Sequence, residues 1–224
     1  MSHDRREFLG RLAAGAVFGA LPLAFDARRA LADPASQPGQ KWDVSWTDRI
    51  KGRYRAVFDV PEIDSGFGVW RASVWEMQYA QVLGVAPSDM SAVIVLRANG
   101  QPLAMQQAYW DKHLLGKAYG VKHPITQAAT TRNPVLLTSA RKEVPAELDE
   151  AALDRFIKRG GIVLACNLAL DELVDGIVKR EGGSAATVRQ QAVASFVPGV
   201  ILQPSGVFAA LHAQDAGCKY LRAS

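Results

Sequence analysis

The hydrophobic positions of this 224-residue chain fall into compact runs and spaced stripes, and these alternate along it. The compact runs read as strands. Residues 54–60 (Tyr54-Arg55-Ala56-Val57-Phe58-Asp59-Val60) are rich in β-formers. Ala92-Val93-Ile94-Val95-Leu96 is nearly unbroken, as in a strand buried on both faces. A third run occupies 162–165 behind Gly160-Gly161, and Val200-Ile201-Leu202 is a fourth. The spaced stripes read as helices. Over 68–83, Trp70, Val74, Met77 and Leu83 recur with Trp75 and Val82, an aromatic stripe that predicts a core-facing side. Asp64 or Ser65 is placed to cap that helix and Gly84 to end it. Further helices are predicted over 103–115, 147–159 (Leu148, Leu153, Phe156, Ile157), 170–180, 187–196 (Val188, Ala192, Val193, Phe196) and 207–213. The order β-α-β-α-β-α-β-α predicts an α/β fold, a parallel sheet with right-handed crossovers and helices on both faces.

Two regions lack such periodicity. Residues 33–51 are polar and punctuated by Pro and Gly, an extended lead-in with Trp42 and Trp46 as packing anchors. Residues 116–146 hold His123-Pro124, Thr130-Thr131-Arg132-Asn133-Pro134 and Pro145 without a helical or strand period. With the preceding stretch they form an extra segment at about 101–146 inside one domain spanning 52–224, long enough to suggest a lid or an assembly arm.

Composition is that of an ordinary globular chain, 49% hydrophobic and 21% charged. A net charge of +4 with no dense basic run argues against nucleic acid as a partner. The two cysteines, Cys166 and Cys218, allow one disulfide at most, and no Cys/His spacing suggests a metal site. Nothing in the sequence calls for a cofactor. The first 32 residues read as a leader. Arg5-Arg6 with Phe8-Leu9 matches the twin-arginine pattern, the apolar run 12–25 is too short and weak for a stable membrane span, and Ala30-Leu31-Ala32 suits a leader peptidase. These features predict a twin-arginine translocase as transient partner and a periplasmic location, where an oxidising setting permits disulfides.

Candidate chemistry centres on Cys166, placed where the third strand runs out. In an open α/β sheet that carboxyl edge is where ligands meet reactive groups. A thiol reacts as thiolate, so it needs a positive neighbour or a helix start, and a predicted helix begins soon after Cys166. Asn167 is placed to donate to an anionic sulfur. The other strand-end loops, with Asn99, Gly100 and Ser205, complete a possible small-ligand pocket, and Arg132 offers a contact for an anion. Asn99-Gly100 also suits a hairpin turn. Three alternatives stay open: Cys166 as a small buried hydrophobe, Cys166 paired with Cys218 in a redox couple, and a non-catalytic binding module. His113 and His123 read as hydrogen-bonded or surface residues.

The stretch Gly160-Gly161-Ile162-Val163-Leu164-Ala165-Cys166-Asn167, then Phe196-Val197-Pro198-Gly199-Val200, Pro204-Ser205-Gly206-Val207 and Gln214-Asp215-Ala216-Gly217 before Tyr220, resembles the DsrE/DsrF-like family. The family includes sulfur-relay subunits of tRNA thiolation. The resemblance covers 54–221 in element order and is close in residues over the last third. It implies a compact flavodoxin-like α/β sandwich, assembly as trimers or hexamers, and a cysteine at position 166 that accepts a persulfide. The leader and the segment 101–146 set this chain apart as a longer, exported branch, for which cytoplasmic tRNA thiolation is not the expected role.

Overall fold

A computed structural model describes residues 41–224; the expected leader and residues 33–40 of the lead-in lie outside the described residues. The α/β class expected from the alternation is present. Five strands, β1 Tyr54–Val60, β2 Met90–Leu96, β3 Ile162–Cys166, β4 Val200–Gln203 and β5 Lys219–Arg222, form one sheet in the order β4-β3-β2-β1-β5. Every pairing is parallel. The sequence pattern predicted four strands. It missed β5 because all four of its residues are exposed, so this edge strand carries no apolar run.

The chain steps from β1 to β4 in one direction, then crosses back to lay β5 beside β1. Right-handed crossovers put all connections before β4 on one face and the return helix on the other. The helices are α1 Phe67–Leu83, α2 Gln107–Lys112, α3 Leu115–Ala118, α4 Leu153–Lys158, α5 Asn167–Glu181, α6 Ala185–Ala194 and α7 Gly206–Asp215. Alternate strand residues divide between two cores. Phe58, Ile94, Leu96, Val163 and Ala165 pack under α1, α4, α5 and the 101–146 segment. Val57, Val93, Val95, Ile162 and Leu164 pack against Ala209, Ala210 and Ala213 of α7, with Trp46 sealing the layer. The small alanine face of α7 lets that helix lie close to the sheet. Trp46 anchors the lead-in as expected.

The 101–146 segment completes the larger core. Leu103, Met105, Trp110, Leu115 and Val135 are fully buried in it. Asn133 holds it together: its side-chain amide donates to Leu103 O (3.1 Å) and Met105 O (2.8 Å) and accepts from Val135 N (3.2 Å). The helix expected over 103–115 is cut into α2 and α3 by Leu114, which takes a left-handed φ of 47°. The helix expected over 147–159 divides likewise at Ala152 (ψ 139°), leaving a 3-10 turn Ala146–Ala151 and α4.

α1 departs from the expected stripe. Its start packs through Gly68, Val69, Trp70 and Ala72, while Val74, Met77, Val82 and Leu83 further along are exposed. A Cβ on Gly68 would sit 2.7 Å from Val60 Cγ1, so the glycine sets how close the helix comes to β1. Neither Asp64 nor Ser65 caps α1; both have positive φ, and Gly66 is the N-cap without a side-chain bond. Among the described residues no helix is long and apolar enough to cross a membrane.

Candidate functional site at the carboxyl edge of the sheet

α5 leaves β3 towards the larger core, and α7 leaves β4 towards the opposite face. The crevice between the carboxyl ends of β3 and β4 is therefore the topological switch point of this sheet. Strand alternation brings Asp59, Arg97, Cys166 and Gln203 to the α7 face at this edge. Cys166 pairs in register with Gln203, and Arg97 follows the Leu96↔Ala165 pair.

Cys166 is both the last residue of β3 and the N-cap of α5. Its Sγ accepts from Ala169 N at 3.4 Å. The backbone N–H groups of Leu168, also on α5, and Gly206, at the start of α7, face the same sulfur. Two helix starts thus border one sulfur, and the Ala169 amide bonds it. The side chain is only 5% exposed. Burial pushes the thiol above its ordinary pKa and the charge of Glu172 adds to this, while the amides of Ala169, Gly206 and Leu168 oppose it. Burial wins, so the resting group at neutral pH is a thiol in a cradle suited to an anion.

Two fully buried glutamines flank it. Cys166 N donates to Gln101 Oε1 at 3.0 Å, and Gln101 Nε2 has no partner among the described residues. Gln203 Nε2 donates to Asp43 O (2.7 Å) and Leu202 O (3.1 Å), and its Oε1 likewise lacks a partner there. Next along the row, the buried Asp59 carboxylate takes two bonds from Arg97, Nε at 2.7 Å and Nη2 at 2.8 Å, and a third from Tyr220 Oη at 2.6 Å. Arg97 lies against Gly206. Gln101, Gln203 and Asp59 were not singled out from sequence, Arg97 entered only as the start of a strand-end loop, and Tyr220 only as a landmark of the resemblance. Asp59 gave the one usable signal, a carboxylate at an inward position of an apolar strand.

The expected site residues divide. Cys166, Asn167 and Ser205 stand at the carboxyl ends of β3 and β4, but the side chains of Asn167 and Ser205 are engaged elsewhere. Asn167 is buried, with Oδ1 accepting from Arg189 Nη2 (2.5 Å) and Nδ2 donating to Asp171 Oδ2 (3.2 Å), so its amide braces α5 against α6. Ser205 caps α7, its Oγ accepting from Phe208 N at 3.0 Å. Asn99 Nδ2 turns the other way, to Glu62 Oε2 at 3.0 Å. Gly100 is a packing glycine, since a Cβ there would stand 2.2 Å from Val60 O. It sits in a 3-10 turn, Ala98–Ala104, and no hairpin forms. Arg132 pairs with Glu143 at 3.0 Å within the 101–146 segment. His113 bonds Glu181 Oε2 at 2.7 Å and His123 bonds Glu143 O at 3.0 Å, so both serve as hydrogen-bonding residues.

Cys218 is not a partner for Cys166. Both are free and buried. Cys218 precedes β5 at the amino edge, three strand spacings from β3, about 14 Å sideways, and about 20 Å further along the strand direction. A disulfide needs Cα atoms within about 7 Å, so the intramolecular redox pair is excluded. Among the described residues no three His, Cys, Asp or Glu side chains gather as a metal-binding group.

Comparison of the chain with protein-family models, curated proteins and solved structures finds no match.

Proposed function

We propose that this chain is an exported DsrE/DsrF-like protein that takes up sulfane sulfur on Cys166. The observation that carries the reading is the hydrogen bond from Ala169 N to Cys166 Sγ at the switch point, with the Leu168 and Gly206 amides also lowering the cost of charge on that sulfur. Such donors favour negative charge on sulfur, and a persulfide, a stronger acid than its thiol, gains more from them than the resting thiol does. In the proposed step the Cys166 thiolate attacks the outer sulfur of a donor persulfide. The donor S–S bond breaks, a new S–S bond forms on Cys166, and the donor leaves as a thiolate that takes up the proton given up by Cys166. No external oxidant or reductant is required.

The test is mass spectrometry of leader-free protein incubated with a low-molecular persulfide or polysulfide. One added sulfur atom on Cys166, absent in Cys166→Ser, is expected; undiminished loading of Cys166→Ser removes the proposal.

A second reading has its own observation. The 5% exposure of Cys166 and its raised thiol pKa suit a buried cap of α5 in a non-catalytic binding or assembly module. It predicts no sulfur adduct and an unchanged phenotype in Cys166→Ala. Export by the twin-arginine route and a periplasmic location are part of the proposal and rest on the leader sequence. Replacing Arg5-Arg6 by lysines and fractionating the cells tests them, with retention in the cytoplasm as the expected result.

A further inference from the structure

We propose that a second site, at the amino edge of the sheet, binds a small carboxylate with an apolar body. A cavity of about 450 Å³ opens there between α1 and the first residues of β2 and β3, on the edge opposite Cys166. Its size falls in the range of small-ligand pockets. Met77, Ala80, Ala92 and Ile162 supply apolar walls, and the flexible Met77 is half-exposed, able to adapt to an occupant.

The charges at its rim decide the ligand class. Arg159 is spent on Glu76, with Nε at 3.1 Å and Nη2 at 2.8 Å from Oε2, and on Ser73 Oγ at 2.7 Å. Glu150 stands 3.6 Å from Arg155. Arg49 is left. Its Nη2 donates to Gly160 O (3.3 Å) and Gly161 O (3.2 Å), and no acidic side chain lies within ion-pair distance among the described residues. Two neutral carbonyls hold the guanidinium in place, and the Asp43 carboxylate, which feels its charge, stands beyond ion-pair distance. That grip is built in: a Cβ on Gly161 would meet the Phe156 ring at 2.2 Å, so the backbone carrying one acceptor is fixed by close packing. The remaining N–H groups of Arg49 are free to take a carboxylate. The site is independent of any chemistry at Cys166.

Isothermal calorimetry with octanoate, octanol and octylamine as probes tests this on the leader-free chain. Saturable octanoate binding is expected, with octylamine and octanol at least tenfold weaker. Arg49→Gln should weaken octanoate at least tenfold and erase the preference for acid over alcohol. Ala80→Trp, which fills the cavity, should abolish binding of all three, and Cys166→Ser should leave it intact. Absence of saturable octanoate binding, equal binding of octylamine, or an unaffected Arg49→Gln variant overturns the proposal. If Ala80→Trp fails to fold, the surface change Arg49→Gln decides alone.

Discussion

Gly206 and Arg97 claim the same volume: a Cβ on Gly206 would lie 2.6 Å from both Cβ and Cδ of Arg97. Arg97 has little room to retreat, because its Nε and Nη2 are tied to the buried Asp59 carboxylate. The backbone N–H of Gly206 is one of the three that face Cys166. A side chain just past β2 therefore sets the position of an α7 amide beside a β3 sulfur. Gly206→Ala is expected to destabilise the protein by about 1–3 kcal/mol through overpacking. Urea denaturation measures this. The double variant with Arg97→Gly should cost less than the sum of the single changes, because losing Cβ and Cδ of Arg97 removes the clash created by the first change. Strict additivity would show that the two residues do not share the space.

The Asp59 network carries a pH signature. The hydrogen bond from Tyr220 Oη to Asp59, with burial adding to it, raises the phenol pKa above its ordinary value. A group raised on folding contributes stability that is fully present below its unfolded pKa, about 10, and is lost as pH rises through the folded value. Tyr220→Phe should therefore be less stable than the parent at pH 7, by about 0.5–1 kcal/mol for a half-exposed ring. That deficit should shrink above about pH 10. Thermal melts of both proteins between pH 7 and 11 measure it, and a pH-independent gap would count against the phenol as its source.

Tyr109 makes the opposite case within the 101–146 segment. It is buried, its hydroxyl has no partner among the described residues, and burial pushes its pKa up to about 12. A buried hydroxyl without a partner costs about 1–3 kcal/mol of desolvation, so Tyr109→Phe should leave stability at pH 7 unchanged or raise it. By the same sign argument, parent stability should fall as pH rises from about 10 towards about 12, and the variant should lose less over that window. A variant less stable by more than about 1 kcal/mol at pH 7 would reveal a water or ligand bound to the hydroxyl.

Sequence periodicity carried most of this fold because β1 to β3 are largely buried, and burial on both faces writes a continuous apolar run; the edge strand β4 stays apolar because Leu202 and Ile201 pack against the two cores. β5 was illegible for the converse reason: an edge strand of exposed residues needs no such run. The stripe on α1 was legible as a helix and misleading as a core face. Apolar spacing fixes the period of a helix, but whether Met77 or Ala72 faces the sheet depends on where Gly68 lets β1 approach. At the candidate site, Cys166 was visible as a strand-end residue beside a helix start. Gln101 was not, and Arg97 was legible only as a strand-end loop residue, since their approach to Cys166 and Gly206 depends on strand order and register. Gly100 carried a strong turn signal, yet the reason for the glycine is Val60 O, forty residues earlier.

The two thiols should behave as separate, slow groups. Both are buried, and burial raises the pKa of each, Cys218 to about 11. Thiolate is the reactive form, so labelling of the folded protein by a disulfide reagent at pH 8 should be far slower than in urea, where both groups should react freely. Copper-catalysed oxidation of the folded chain should yield no intramolecular bridge, as read by mass spectrometry after alkylation. A rapid stoichiometric bridge would contradict the placement of the cysteines at opposite edges.

Assembly into trimers or hexamers, proposed from the family resemblance, has a physical candidate surface on α1. Val82 is 77% and Leu83 58% exposed, and Val74 and Met77 are close to half-exposed. Single exposed apolar residues are ordinary, but Met77, Val74 and Val82 fall within about 140° of one side of the helix at 100° per residue, a surface that gains from being covered. A charge placed there separates folding from association. Val82→Glu removes little burial from the lone chain, so its stability should change by no more than about 0.5 kcal/mol. If copies meet at this surface, the same glutamate must be desolvated in the contact, and association should weaken by well over tenfold. Light scattering behind size exclusion is expected to find the parent as an oligomer and Val82→Glu as a monomer with an unchanged melting temperature. An oligomeric Val82→Glu would move the interface elsewhere, with Val207 and Leu211 of α7 as the next exposed apolar pair to charge. A monomeric parent at tens of micromolar would remove the assembly proposal.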